Sequence, residues 1–174
     1  PEMVRQLTPY QLGQNMFSFR IPGITGDGIR MAWEAGAGHT PCNMEVSYGN
    51  LLTGHYHCLG RVHMQPNLTV NRQGERFINE EIQANTTYTS NALALQKDSV
   101  GFSIVDDTIV DAYRRSGLPN VNLVEPNADA RDYYDDVEKA LRTNDRGFFC
   151  ADSIEALAEK MGVDRENLLR TVEE

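Results

Sequence analysis

Turn-forming residues divide this chain into short segments, and that spacing limits the folds it can adopt. Gly36, Gly74, Gly117 and Gly162 each follow a stretch of regular apolar periodicity, and glycine at such a place typically ends a helix or forms a turn. Most segments between them have helical periodicity, whereas strand-like alternation is confined to a few short stretches. The sequence therefore predicts an α+β fold with a small mixed or antiparallel sheet and packed helices.

Six segments have the periodicity of a helix. Asp152 is predicted to cap the segment 152–161, with Glu155 completing a capping box. Asp164 is predicted to cap the segment 164–172. The segment 130–142 is amphipathic, and its core face is predicted to carry Tyr133, Tyr134, Val137 and Leu141. The six segments are residues 29–35, 86–96, 108–116, 130–142, 152–161 and 164–172.

Strand patterns occur in two regions. Residues 62–70 alternate well enough for a strand, and Pro66 places it at an edge or a bulge. The turn tetrapeptide 71–74 follows, and the chain resumes at 75–78, so a hairpin is predicted. Residues 100–105 are a candidate for a buried strand.

Composition excludes several classes of partner. The net charge is −9, which leaves no basic stripe for nucleic acid and no attraction to anionic lipid. No run of 18 apolar residues marks a membrane span. The three cysteines, Cys42, Cys58 and Cys150, form no C-x-x-C pair or disulfide framework, and buried, inert thiols are predicted.

The tetrapeptide Thr25-Gly26-Asp27-Gly28 is the first candidate site. Glycines let a backbone approach a ligand closely, and a helix N-terminus supplies free N–H donors. Asp27 would repel a phosphate, but its carboxylate is a plausible acceptor for a ribose hydroxyl or another neutral donor. An aspartate that only caps its own helix in a glycine turn is the alternative interpretation.

Two further candidates are open to simpler explanations. The segment 71–80 is explained by a hairpin with polar strand ends. His55, His57 and His63, with Cys58 nearby, suggest a metal site, because alternate histidines on a strand face the same way; the spacing fits no zinc motif. The sequence contains no P-loop, no G-x-S-x-G elbow and no G-x-G-x-x-G after a strand.

Four segments in this order resemble the FAD-dependent fumarate reductase/succinate dehydrogenase flavoprotein family. They are T-G-D-G-I-R-M-A-W-E-A-G-A (25–37), N-R-Q-G-E-R-F-I-N-E (71–80), G-F-S-I-V-D-D-T-I (101–109) and D-S-I-E-A-L-A-E-K-M-G-V (152–163). The resemblance covers nearly the whole chain and matches the middle portion of the family. It implies a capping domain at 25–174, truncated at both ends, and a connecting arm at 1–24 from an absent FAD-binding domain.

The same resemblance assigns a cofactor role to the first candidate site. In the family the aspartate of the T-G-D-G segment contacts FAD, which carries over to Asp27, with Thr25, Gly26 and Gly28 shaping the turn. The Rossmann-type glycine loop lies before this region in the family. FAD is therefore not expected to bind tightly to this chain alone.

The catalytic residues of the family carry over only in part. Arg76 and Glu80 match the family motif R-F-x-N-E, but the proton-donating arginine expected four residues after the glutamate is Ala84. An alanine can neither hold a carboxylate nor deliver a proton. A dicarboxylate such as fumarate is therefore a doubtful substrate.

Other members of the family's site are also replaced. The glutamate and arginine that feed protons to the donor would fall near Gly60 and His63, and a substrate-binding histidine would fall near Ser47. Tyr48, His63 and Tyr88 are alternative sources of a proton, and the catalytic residues stay unassigned.

The resulting expectation is a capping-domain fragment, inactive alone, of an FAD-dependent oxidoreductase that transfers hydride to or from an unsaturated small molecule. Its partners would be the missing FAD-binding domain and that substrate. The flavin would supply the redox chemistry, and the protein orientation and proton management. The alternatives are a stand-alone binding or interaction domain without a redox role, and a metal-binding domain using His55, His57 and Cys58.

Overall fold

A computed structural model of the chain describes residues 2–9, 22–41, 56–121, 126, 128–143 and 145–174. These residues form helices with one small sheet, so the fold class is mixed α and β as predicted. The helices and strands are α1 (Glu2–Leu7), α2 (Asp27–Glu34), α3 (His57–Val62), β1 (Leu68–Asn71), α4 (Thr86–Ala94), β2 (Gly101–Ile104), α5 (Asp107–Ser116), α6 (Tyr133–Thr143), α7 (Ile154–Met161) and α8 (Arg165–Glu173). Short 3₁₀ helices occupy Glu80–Ile82 and Lys97–Ser99.

The chain divides into two compact units, Pro1–Val46 and Ser47–Glu174. The first contains α1 and α2, and neither helix has a buried residue. The apolar face predicted for α2 is therefore only partly covered, with Ile29 half exposed and Trp33 at intermediate burial. The predicted division into an arm at 1–24 and a capping domain at 25–174 stays a prediction.

The sheet in the second unit consists of β1 and β2, which pair antiparallel with Leu68 opposite Ile104 and Asn71 opposite Gly101. The strand predicted over 100–105 is confirmed at β2. The strand predicted over 62–70 is wrong in its first part, because α3 continues to Val62 and β1 begins only at Leu68.

Side-chain amides explain that difference. Gln65 donates from Nε2 to the carbonyls of Arg61 and Asn120, at 3.0 and 3.1 Å. Asn67 donates from Nδ2 to the Val62 carbonyl at 2.7 Å. The same two α3 carbonyls also accept backbone N–H groups, Arg61 from Met64 at 3.3 Å and Val62 from Gln65 at 3.1 Å. The amides therefore reinforce a turn over residues 63–67 in place of the predicted strand.

The predicted hairpin, which joins the strand over 62–70 through the turn 71–74 to residues 75–78, is reduced to its turn. Gly74 has φ +76°, a conformation that favours glycine. Beyond the turn only a single bridge joins Val70 to Arg76 among the described residues. Helix α8 holds the turn instead, because Thr171 Oγ1 donates to the Gly74 carbonyl at 2.8 Å and Asn167 Nδ2 to the Gln73 carbonyl at 3.1 Å.

Helices α4 to α8 lie close to where the periodicity predicts them, although α6 begins at Tyr133 instead of residue 130, whereas α1 and α3 were not predicted. Two further details need correction. Helix α7 is capped by Ser153, whose Oγ accepts from the Ala156 N–H, so Glu155 is the second helical residue and forms no capping box with Asp152. In α6, Tyr133 is buried, but Tyr134 is 37% and Leu141 53% exposed. The core face of α6 is thus narrower than predicted.

Two apolar clusters form the core of the second unit. One joins α3, α5 and α6, and the other joins the sheet to α7 and α8. Cys58 is buried in the first, as predicted, whereas Cys150 is exposed and contradicts the prediction; Cys42 lies outside the described residues. Within the described residues, no helix is long and apolar enough to cross a membrane.

Candidate functional site

The Thr25–Gly28 turn lies at the start of α2 and is exposed. Thr25 Oγ1 donates to both carboxylate oxygens of Asp27, at 2.9 and 3.0 Å. Arg30 lies one turn further on, with Nη1 3.7 Å from Asp27 Oδ1. The carboxylate therefore has a fixed orientation and keeps accessible lone pairs, since both partners of the ion pair are at least half exposed.

The two glycines of this turn differ in what the fold requires of them. Gly26 has φ +89°, and a Cβ there would lie 2.7 Å from Met3 Sδ of α1, so both its conformation and its neighbour exclude a side chain. Gly28 has an ordinary helical conformation, and no atom of the described residues lies within 4 Å of the place where its Cβ would be. The fold does not need a glycine at position 28.

The N-terminus of α2 also offers unused donors. Its N-cap residue, Gly26, has no side chain to cap the helix. The first hydrogen bond of the helix runs from the Arg30 N–H to the Gly26 carbonyl at 3.1 Å. Among the described residues no acceptor meets the N–H groups of Asp27, Gly28 and Ile29. A ligand with carbonyl or hydroxyl oxygens would find donors and one acceptor together here.

Arg76 and Glu80, the second pair matched by motif, lie in contact in the other unit. Arg76 Nε donates to Glu80 Oε1 at 3.0 Å, and the same oxygen accepts from the Thr69 N–H of β1 at 3.2 Å. The Glu80 side chain is only 18% exposed, while that of Arg76 is 44% exposed. Glu80 thus fixes the strand to the motif segment, a structural role that the sequence did not reveal.

Residues at the expected positions of the family's proton relay do not provide an acid. Ala84 is exposed and lies just before α4. Gly60 is buried inside α3 and His63 follows that helix. Ser47 and Tyr48 lie outside the described residues. Of the alternative proton sources, Tyr88 is accessible: it lies in the first turn of α4 with 45% of its surface exposed.

His63 is held as a neutral side chain. Its Nδ1 lies 3.2 Å from the Ser103 carbonyl, which fixes the proton on Nδ1 because a carbonyl only accepts. Its Nε2 lies 3.4 Å from the Tyr133 hydroxyl, and the ring packs against Tyr133 and Phe148. Burial lowers its pKa from 6.5 to about 4, so His63 is a poor proton donor near neutral pH.

The histidine and cysteine residues do not form a metal site within the described part of the chain. No group of three His, Cys, Asp or Glu side chains has suitable geometry there, and His55 lies outside it. His57 begins α3, so the predicted strand face does not form. Cys58 lies beside it, and burial raises the pKa of its thiol.

Asp136 of α6 caps the N-terminus of α3. One of its oxygens, Oδ2, accepts from the Cys58 N–H at 2.8 Å and from the Leu59 N–H at 3.2 Å. This carboxylate therefore takes the role of a cap from a distant part of the chain. Sequence reasoning missed it, since no local pattern links residues 58 and 136.

The chain is similar to a bacterial reductase. The vinyl phenol reductase of Lactiplantibacillus plantarum (strain ATCC BAA-793 / NCIMB 8826 / WCFS1) is 27% identical over an alignment of 184 positions, which covers 99% of this chain and 37% of that protein. The chain therefore spans little more than a third of the length of this relative. No protein-family model matches the chain, and no solved structure does.

Proposed function

We propose that this chain is the capping part of a larger FAD-dependent reductase that transfers hydride to a carbon–carbon double bond. The observation that carries the proposal is the exposed Thr25–Gly28 turn, where Gly28 has a side-chain space that the fold leaves empty. Glycine favours a helix less than alanine does, by up to about 0.5–1 kcal/mol in a helix interior. Close approach of a ligand to the backbone is a reason to keep it.

The residues of this turn suit a flavin nucleotide. Asp27 would accept from a ribose hydroxyl or a ring N–H, with Thr25 holding the carboxylate in place. The free N–H groups at the start of α2 would bond to carbonyl or hydroxyl oxygens of the same group. When bound, FAD supplies hydride transfer. The chain's own part is to orient the cofactor and exclude water.

The double bond would belong to a molecule that is not a dicarboxylate. At position 84, where the family's arginine would hold a substrate carboxylate and deliver a proton, stands an exposed alanine. Similarity to a reductase named for a vinyl phenol supports an uncharged substrate of this kind. The alternative of a stand-alone binding domain receives no specific support from the described residues.

The test measures flavin content in the complete gene product. Asp27→Asn and Gly28→Ala should each lower the flavin bound per chain, since Asn adds a donor where an acceptor is needed and a methyl group fills the approach to the backbone. Glu34→Gln, at the other end of α2, is the matched control. Gly28→Ala should also leave the free energy of unfolding equal or higher, because alanine favours a helix.

Two results would contradict the proposal. The first is that the Asp27→Asn and Gly28→Ala variants bind as much flavin per chain as the Glu34→Gln control. The other is a gene product that consists of this region alone and binds no flavin, which would favour the stand-alone domain.

A further inference from the structure

A groove in the second unit runs beside the Arg76–Glu80 pair. It has a volume of about 620 Å³, which is within the range of roughly 300–1,000 Å³ typical of small-molecule sites. It is a shallow depression that is widely open to solvent. The motif segment and Tyr88 of α4 both line it.

Aromatic rings form two parts of its surface. Phe77 is partly exposed, and its ring packs near the backbone of Gly101, where a Cβ would lie 3.0 Å from the ring. Tyr88 is 45% exposed, and among the described residues its hydroxyl has no hydrogen-bond partner. Partly exposed aromatic side chains bind flat apolar rings by stacked or edge-to-face contact.

The charges of the groove disfavour an anion. Among the described residues that line it, the one guanidinium is that of Arg76, which is already paired with Glu80 at 3.0 Å. Glu174 also lines the groove, so one cation is offset by two carboxylates. A ligand carboxylate bound to the Nη atoms of Arg76 would be repelled by these two carboxylates.

Polar atoms remain for a neutral ligand. Glu80 Oε2 and the Nη atoms of Arg76 have no partner among the described residues. The Asn79 side chain accepts through Oδ1 from the Glu81 N–H at 3.0 Å, which leaves its amide nitrogen as a donor. A hydroxyl group both donates and accepts, so it complements one carboxylate oxygen and one guanidinium at once.

We infer that this groove binds an uncharged phenol, with the ring against Phe77 and Tyr88 and the hydroxyl between Glu80 and Arg76. A phenol has a pKa near 10 and is neutral at pH 7. The inference rests on the proposed function, because the phenol would be the substrate whose double bond is reduced. It assigns to Arg76 and Glu80 a binding role in addition to their structural one.

The test is a titration of the chain, without flavin, followed by amide NMR. The probe is para-ethylphenol, the saturated counterpart of a vinyl phenol. A dissociation constant of about 1 mM is expected for a ligand of this size in an open groove, with shifts confined to residues 76–80 and the first turn of α4. Para-ethylanisole should bind at least about fivefold more weakly, because its ether cannot donate to Glu80. Para-hydroxybenzoate should bind more weakly still.

Tyrosine variants test the ring wall. Tyr88→Ala should weaken binding about five- to tenfold, and Tyr88→Phe should retain it, since the ring and not the hydroxyl makes the contact. Tyr134→Ala is the matched control, because Tyr134 is also an exposed tyrosine on a helix but lines no part of the groove. Circular dichroism establishes that each variant is folded.

Three outcomes would overturn the inference: no saturable shifts up to about 10 mM phenol, equal binding of the phenol and the ether, or equal losses in Tyr88→Ala and Tyr134→Ala. These are separate from the test of the proposed function. If phenol binds and Asp27→Asn leaves the flavin content unchanged, the proposed flavin site is refuted and the phenol site stands. If Asp27→Asn lowers the flavin content but phenol does not bind, the phenol site alone is refuted.

Discussion

Replacing His63 should flatten the pH dependence of stability between neutral and mildly acidic pH. The half-buried ring donates to the Ser103 carbonyl and accepts from the Tyr133 hydroxyl, and its partial burial lowers its pKa from 6.5 to about 4. Burial also raises the pKa of Tyr133, so that hydroxyl stays protonated as the donor. The folded state therefore holds His63 neutral where the unfolded chain would protonate it.

The sign and size follow from this difference. Because the folded pKa is depressed, the unfolded state binds more protons between the two values, so stability is full above about pH 6.5 and falls as the pH drops towards 4. The two pKa values give a loss of about 2 kcal/mol at pH 5 and about 3 kcal/mol at pH 4 relative to neutral pH.

The variant His63→Asn keeps a donor near the Nδ1 position and has no titratable group. It should be less stable than the wild type at pH 7, because it removes the packing of the His63 ring against Tyr133 and Phe148. The gap should narrow by about 2 kcal/mol at pH 5. Urea unfolding monitored by circular dichroism at both pH values measures this, and the subtraction cancels titrations that the two proteins share. A gap of equal size at pH 7 and pH 5 would refute the reasoning.

Two other substitutions test the fold. Gly74→Ala should lower the free energy of unfolding by about 2–5 kcal/mol, and Gly162→Ala by only about 1 kcal/mol. Both glycines have positive φ. Only at position 74 would a Cβ meet backbone atoms, 2.8 Å from the Asp164 oxygen and 2.9 Å from the Leu168 nitrogen. Equal losses in urea unfolding would be inconsistent with this contact. Asp136→Ala should cost about 1–2 kcal/mol by removing the cap of α3, whereas Asp135→Ala, its exposed neighbour, should change stability by less than about 0.5 kcal/mol in the same assay.

Local signals predicted most of the helices. Helix α5 lies between Asp106, whose carboxylate accepts from the Ile109 N–H, and Gly117. Helix α8 begins after Asp164 in the same way. In each case the residue that begins the helix, and for α5 also the one that ends it, lies next to the helix in the sequence, so a local pattern predicts it directly. The error at α7 is of one residue, because Asp152 and Ser153 are both competent caps.

Contacts between distant residues account for what the sequence did not reveal. The pairing of β1 with β2 joins residues 68–71 to 101–104, and alternation in one strand does not name its partner. Gln65, within the first part of the predicted strand, instead forms a turn held by its bond to Asn120. The groove requires Tyr88 to lie beside the segment 76–80, and no spacing rule gives that contact.

The two motif segments support a function to different degrees, and the fold explains why. Glu80 contacts Arg76 and the Thr69 N–H. These structural contacts alone explain why a glutamate stands at this position. The described residues explain Asp27 and Gly28 less fully. The carboxylate contacts Thr25 of its own turn and the exposed Arg30, and alanine would favour α2 more than the glycine at its second position does. A residue that the fold does not require is better evidence for a ligand than one that it does. The Thr25–Gly28 turn is therefore the part of this chain on which the cofactor proposal should be tested first.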